Sequence, residues 1–243
     1  MGIKYSINEE FFKNWTPTMA YVLGFIYADG TIYPSARGKY LVITSTDRFI
    51  VRRIKKWLAS KHKIVRTKST WPNGKDRFVL RVGNKAIYNS LSEVGLISSK
   101  SLIVRMPDVP KSYFKDFVRG YFDGDGCVYL ERSKGKGGKL IIRKLSVIFT
   151  SGSREFLNDL LLDLKENLDL RQTKIYKGCR SFQLRFFTSD SIKILELMYN
   201  NTPRELYFER KFEVFTKYLK LSGKIDNYKG KLYNVVEPGH VVK

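Results

Sequence analysis

This chain repeats itself, and that limits what it can fold into. Val22-Leu23-Gly24-Phe25-Ile26-Tyr27-Ala28-Asp29-Gly30 returns as Val118-Arg119-Gly120-Tyr121-Phe122-Asp123-Gly124-Asp125-Gly126. The aspartates before each final glycine, Asp29 and Asp125, lie 96 positions apart. Phe78-Val79-Leu80-Arg81 returns as Phe182-Gln183-Leu184-Arg185, 104 positions on, and Thr44-Ser45 as Thr150-Ser151. Unequal offsets are what two copies with different loop lengths produce. A repeat of about 100 residues is long enough for each copy to build its own core.

Hydrophobic periodicity gives each copy the same element order. In the first, a helix begins at Pro17 with Thr16 as its cap and ends at Gly30, read as a left-handed cap. Strands follow at about 31–34 and 39–45, a helix at 47–59, strands at 63–69 and 76–82, and a helix at 84–94. In the second, Ser112 is read as the cap of a helix ending at Gly126. Strands at 127–132 and 139–149, a helix at 153–165, strands at 172–177 and 180–187, and a helix at 189–199 follow. The fold class is α+β: two pseudo-symmetric αββαββα half-domains, at 1–105 and 106–223. Pro107 and Pro110 break regular structure near the join. Residues 224–243 stand outside both copies.

Within the strands the alternation is period two. Phe78, Leu80 and Val82 face one way, and Arg77, Val79 and Arg81 the other. One face packs under helices and the other stays open. Charge says what the open faces meet. Lys and Arg total 45 against 23 Asp and Glu, a net of +22, carried by both halves. A globular chain this basic meets a polyanion. No apolar run approaches 18 residues, so no membrane span is expected, and 1–10 lacks a signal core. Cys127 and Cys179 are too few for a disulfide framework or a four-thiolate zinc site, and His62 and His240 stand alone. A metal here is a hard ion on carboxylates, which points to Mg²⁺ or Ca²⁺.

Gly24 and Ala28, and Gly120 and Gly124, each lie four apart on one helix face. Small residues at that spacing let two backbones come close. Asp29 and Asp125 then meet at helix C-termini, where the helix dipole disfavours a carboxylate. Two such charges need a cation or a shared proton.

These two nonamers resemble the motif of the LAGLIDADG homing endonucleases. The eighth position is the acid in both copies. Asp123 also fills the sixth position, while Tyr27 departs from it. The resemblance covers about residues 18–220. It implies a monomer that imitates a symmetric dimer, with saddle-shaped antiparallel sheets straddling the major groove of double-stranded DNA and two central packed motif helices. It implies site-specific cleavage of one phosphodiester per strand with divalent metal, leaving short 3′ overhangs on a long, partly symmetric target. Asp29 and Asp125 become metal ligands, assisted by the carbonyls of Ala28 and Gly124. Mg²⁺ is the expected cofactor, with Ca²⁺ occupying the site without supporting cleavage. Lys100 and Lys211 are the expected basic residues beside the scissile phosphates, with Arg204 a competitor for the second.

Outward strand positions supply the DNA-contact candidates: Arg66, Lys68, Arg77 and Arg81, then Arg143, Lys174, Gln183 and Arg185. Arg to guanine and Gln to adenine are the natural base-reading pairs. The Gly- and Lys-rich loops 35–39 and 133–139 would reach phosphates. Two other readings stay open: an RNA-splicing maturase and a catalytically silent DNA-binding regulator. No obligate protein partner is expected, and the site of action is intracellular, cytoplasmic or organellar.

Overall fold

A computed structural model describes residues 5–98, 103–134, 137 and 140–228. Helix α1 spans Pro17–Asp29. Thr16 accepts a hydrogen bond from the Met19 N–H at 3.0 Å, so cap and proline work together at its start. Every residue from Met19 to Tyr27 is buried, so this helix is covered on all sides. Its counterpart α4, Phe114–Asp125, is likewise buried from Phe117 to Asp123.

The two helices touch backbone to backbone. A Cβ on Gly24 would sit 2.1 Å from the Phe117 carbonyl oxygen, and one on Gly120 would sit 2.0 Å from that of Tyr21. Glycine inside a helix costs about 1 kcal/mol relative to alanine. Here only a hydrogen fits, so the close contact offsets that cost.

The end of α1 departs from expectation, and α4, which ends at Gly126 as expected, has the same shape there. Gly30 (φ −100°, ψ 161°) and Gly126 (φ −94°, ψ 158°) are extended and not left-handed. Each motif helix runs directly into a strand. Glycine is required there for space: a Cβ on Gly126 would lie 2.1 Å from Phe122 Cδ2, and one on Gly30 would lie 2.7 Å from Ile26 Cγ2. Ser112 does not cap α4 either. It sits inside a 3₁₀ turn, Lys111–Tyr113, and α4 has no side-chain cap.

The first sheet holds β1 (Gly30–Ser35), β2 (Gly38–Ser45), β3 (Ile64–Thr67) and β4 (Arg77–Gly83), in the order β1-β2-β4-β3. The second holds β5 (Gly126–Lys134), β6 (Leu140–Ser151), β7 (Ile175–Lys177) and β8 (Phe182–Phe186), in the order β5-β6-β8-β7. All neighbouring strands are antiparallel. Helices α2 (Arg48–Trp57), α3 (Lys85–Glu93), α5 (Arg154–Asn167) and α6 (Thr188–Tyr199) complete the two copies. Asp47, Asn84 and Ser153 cap α2, α3 and α5 through their side chains. Leu41, Ile43, Leu80 and Val82 bury one face of the first sheet, and Leu145, Val147, Phe149, Leu184 and Phe186 one face of the second.

One element lies beyond the expected pattern. Helix α7, Glu209–Leu221, follows a 3₁₀ turn at Arg204–Leu206 and buries Lys211, Phe212, Phe215, Tyr218 and Leu219. Its aromatic residues pack on α6, with Tyr199 and Phe212 ring centroids 5.1 Å apart. Past α7 the described chain ends in a short turn, Ile225–Tyr228. No helix among the described residues is long and apolar enough to cross a membrane.

Candidate active site and nucleic-acid face

Because α1 and α4 pack in register, their C-terminal residues arrive side by side. Asp29 and Asp125 are both half-buried. A Cβ on Gly124 would lie 3.6 Å from Asp29 Oδ2, so the first carboxylate rests against the second motif. Tyr121 reports on both. Its hydroxyl donates to the Thr150 carbonyl at 2.7 Å. Burial first, then the charges of Asp125 and Asp29, push its pKa well above the usual range.

A cleft of about 260 Å³ opens beside Asp29, lined by Gly124, Thr44, Arg77, Phe208 and Arg210 among others. A larger groove, about 670 Å³, lies between 105–111 and the α5 residues Asp159, Asp163 and Glu166. None of the expected site residues lines it, so its size says nothing about the chemistry.

Among the described residues no three of His, Cys, Asp and Glu converge. A cation held by Asp29 and Asp125 would complete its shell with carbonyl, water and phosphate oxygens. That donor set suits Mg²⁺, which binds through one or two carboxylates and keeps its waters.

Neither motif helix carries a basic residue in its last turn. For α4 the missing charge comes from α7. Lys211 Nζ donates to the carbonyls of Phe122, Asp123 (3.0 Å) and Gly126 (2.7 Å). An ammonium has three N–H donors, and all three are used here. Burial lowers the Lys211 pKa to about 8, against the opposing pull of Asp123. Lys211 is thus inside the end of the motif helix, and its neighbour Arg210, 5.2 Å over the Phe208 ring, is like Arg77 an exposed cation in the cleft. Arg204 is exposed and pairs with Glu209. Lys100 lies outside the described residues.

The open faces are not uniformly basic. Arg77, Val79 and Arg81 share the open face of the first sheet with Thr31, Tyr33, Tyr40, Val42 and Thr44. Arg81 lies 4.2 Å over the Tyr40 ring, and Tyr33 stacks on Tyr40. Arg66 does not belong there. It is paired with Phe78, whose parity is that of buried Leu80, so it stands at the edge of the helix-covered face. Its Nε donates to Asp76 at 2.6 Å. The outward placement expected for Arg66 is therefore corrected, because the strand alternation begins one residue out of phase with that reading. Lys68 follows the end of β3 and is exposed.

On the second sheet, Gln183 and Arg185 share the open face with Ile148 and Thr150. Arg185 donates to Gln183 Oε1 at 2.9 Å and lies 5.2 Å over Tyr176. Lys174 is exposed just before β7. Arg143 is the residue of β6 that the register skips, between the pairs Glu131–Lys144 and Arg132–Ile142. It sits in a β-bulge, and its side chain lies outside the described residues. Loop 35–39 is described as a tight turn between β1 and β2, while 135, 136, 138 and 139 of the second loop are outside the described residues. Both cysteines are free and exposed.

Arg210 and the buried Asp123 were not among the expected site residues. The helical spacing of Phe212, Phe215 and Leu219 was the available signal for the first. The second was legible as the acid at the sixth motif position, a signal that does not name its partners.

The family model for a LAGLIDADG-like domain matches this sequence twice, at residues 16–95 and 114–197. No curated protein matches it. Among solved structures, I-SmaMI bound to an uncleaved DNA target in the presence of calcium ions aligns at TM-score 0.58 and 14% identity, covering 89% of this chain and 93% of the other. The LAGLIDADG meganuclease I-AabMI bound to uncleaved DNA aligns at TM-score 0.53 and 14% identity, over 90% of this chain and 99% of the other. The I-SmaMI LAGLIDADG homing endonuclease bound to cleaved DNA aligns at 0.57 and 13%, over 89% and 91%. Two matched copies, a close-packed pair of motif helices and an aspartate at the end of each place this chain in the LAGLIDADG family, with both domains in one polypeptide.

Proposed function

We propose that this protein is a site-specific, metal-dependent endonuclease that cuts both strands of a DNA duplex, leaving short 3′ overhangs. The observation that carries the reading is the meeting of Asp29 and Asp125 at one end of the α1–α4 pair, each flanked by an open sheet face bearing arginines. It is supported by the structural neighbours, which are meganucleases bound to DNA.

Asp29 and Asp125 are the proposed metal ligands, one for each strand, helped by the carbonyls of Ala28 and Gly124. Mg²⁺ bound there would polarise the phosphate and supply an activated water; Ca²⁺ would occupy the same oxygens without supporting cleavage. Lys100 and Lys211 are the proposed basic residues of the two centres. Lys211 acts through its charge at the end of α4, and Arg210 is placed to meet phosphate in the cleft. Arg77, Arg81, Lys174, Gln183 and Arg185 contact DNA from the open faces, and Lys68 and Arg143 approach it from strand ends and bulge. Residues 1–105 and 106–223 form the two half-domains of a monomer, with 224–243 an extension.

The test is selection from a randomised duplex library with Mg²⁺, followed by sequencing of cut ends. One long site with short 3′ overhangs is the expected product. Enrichment by binding with no cut would sink the nuclease reading. Lys100→Ala should slow cutting with little loss of affinity; a large loss of affinity would make Lys100 a phosphate clamp instead.

A further inference from the structure

Tyr27 and Asp123 occupy the same position in the two motif copies, and both fasten their helix to the segment that follows the sheet. They do so with opposite chemistry. The Tyr27 hydroxyl donates to the Val94 carbonyl at 2.8 Å, tying α1 to the end of α3 in its own half. Asp123 is 1% exposed and accepts the Phe208 N–H on Oδ2 at 2.8 Å, tying α4 to the start of α7. Lys211 stands one turn further on, its own N–H bonded to the Phe208 carbonyl at 3.1 Å.

Asp123 has a second donor on the same oxygen, and it comes from the other half. The hydroxyl of Tyr21, on α1, donates to Asp123 Oδ2 at 2.7 Å. Tyr21 is fully buried, and Asp123 Oδ1 is buried with no hydrogen-bond partner among the described residues. Two donors on one oxygen therefore hold this carboxylate, and one of the two crosses the interface between the motif helices. Arg119 fixes the remainder of the connection, donating to the carbonyls of Met198 (2.8 Å) and Leu206 (2.5 Å).

We propose that Tyr21 is a positioning residue for the second centre: with Asp123 it sets Phe208, and through it Lys211, against the end of α4 that presents Asp125. The first centre is set by Tyr27 within its own half. The two strands of the duplex thus depend on different tyrosines, both carried by α1. This inference rests on the nuclease reading.

The experiment measures single-turnover nicking of each strand of a selected duplex in Mg²⁺, with the two strands labelled separately. Tyr21→Phe should slow one strand about 10-fold, the lower end of what supporting hydrogen bonds cost at metal sites, and leave the other strand and DNA affinity unchanged. Tyr27→Phe should slow the opposite strand. If both variants slow the same strand, or Tyr21→Phe slows both equally, the inference is overturned while the nuclease reading stands. A wild-type protein that cuts neither strand overturns both. Tyr21→Phe removes one oxygen and nothing else, and its melting transition checks the fold. Should that transition be lost, Asp123→Asn, which keeps an acceptor for the Phe208 N–H, carries the same strand-bias test.

Discussion

The first and second halves match in backbone and differ in what their side chains do with it. Leu80 pairs with Ile43 and Ile64 on its flanking strands; Leu184 pairs with Phe149 and Ile175 in the same way. Arg81 and Arg185 are therefore equivalent in register, opposite Val42 and Ile148. Yet Arg81 leans on Tyr40 of β2, toward the inner strands, and Arg185 leans on Tyr176 of β7, toward the outer edge. Tyr27 and Asp123 differ likewise, one donating and the other accepting. Symmetry persists where backbones touch, because a Cβ at Gly24 or Gly120 has nowhere to go. It lapses where side chains are free to choose partners. A target only partly symmetric is what such a pair of faces would read.

The largest test of equivalence is at the carboxylates. Asp29→Asn and Asp125→Asn should each slow cleavage more than about 100-fold, since a metal ligand supplies several kcal/mol of transition-state stabilisation, while binding survives. Either single variant cutting both strands at the native rate would break the two-centre comparison.

The helix interface should be symmetric to mutation. Gly24→Ala and Gly120→Ala each gain about 1 kcal/mol of helix propensity, but force a methyl group onto a carbonyl oxygen that belongs to rigid backbone, an overpacking cost of about 1–3 kcal/mol or more. At contacts near 2 Å the second effect wins. Denaturant unfolding should show both variants destabilised by similar amounts; a stabilised variant would mean the helices can part at low cost.

Lys211 has no described counterpart in the first half, and pH separates its contribution. Its pKa is lowered from 10.5 to about 8 on folding. Between those values the unfolded chain binds more protons than the native one, so stability rises with pH there. Melting curves of the wild type and Lys211→Met from pH 7 to 10.5 should show the wild type gaining on the variant above about 8. A constant difference would mean that the carbonyl bonds hold the ammonium charged throughout.

On the sheets, Arg81→Ala and Arg185→Ala should each relax preference for guanine at one base pair of one half-site, by about 1–3 kcal/mol, read by competition with substituted duplexes. Arg66→Ala, whose side chain already pairs with Asp76 and is largely exposed, should change base preference by less than about 0.5 kcal/mol. Loss of preference at Arg66 equal to that at Arg81 would mean β3 turns over on DNA.

Much of this was legible in the residues. The repeat, the cap of α1 at Thr16, the four-residue small-residue spacing and the buried parity of Leu80 and Leu184 all act locally or by simple periodicity. Other features were not. Gly30 reads as a left-handed cap because glycine usually ends helices that way; here, and at Gly126, crowding by Ile26 and Phe122 is what requires glycine. Arg66 was assigned to the wrong face because a four-residue strand offers too few alternations to fix its phase. Helix α7 lies past the last element that the two copies share, so the repeat gives no sign of it.

By itself the sequence determined the doubling, the element order, the close approach of two glycine-bearing helices and the charge that suits a polyanion. These follow from spacing, periodicity and composition, which a chain carries before it folds. Only the tertiary structure decided that Lys211 would spend its three donors on the end of α4, that Arg210 would face the cleft, and that Tyr21 of one half would hold Asp123 of the other. Those hydrogen bonds join residues 85 to 102 positions apart, and partners at such separations are chosen by packing, which no local pattern encodes.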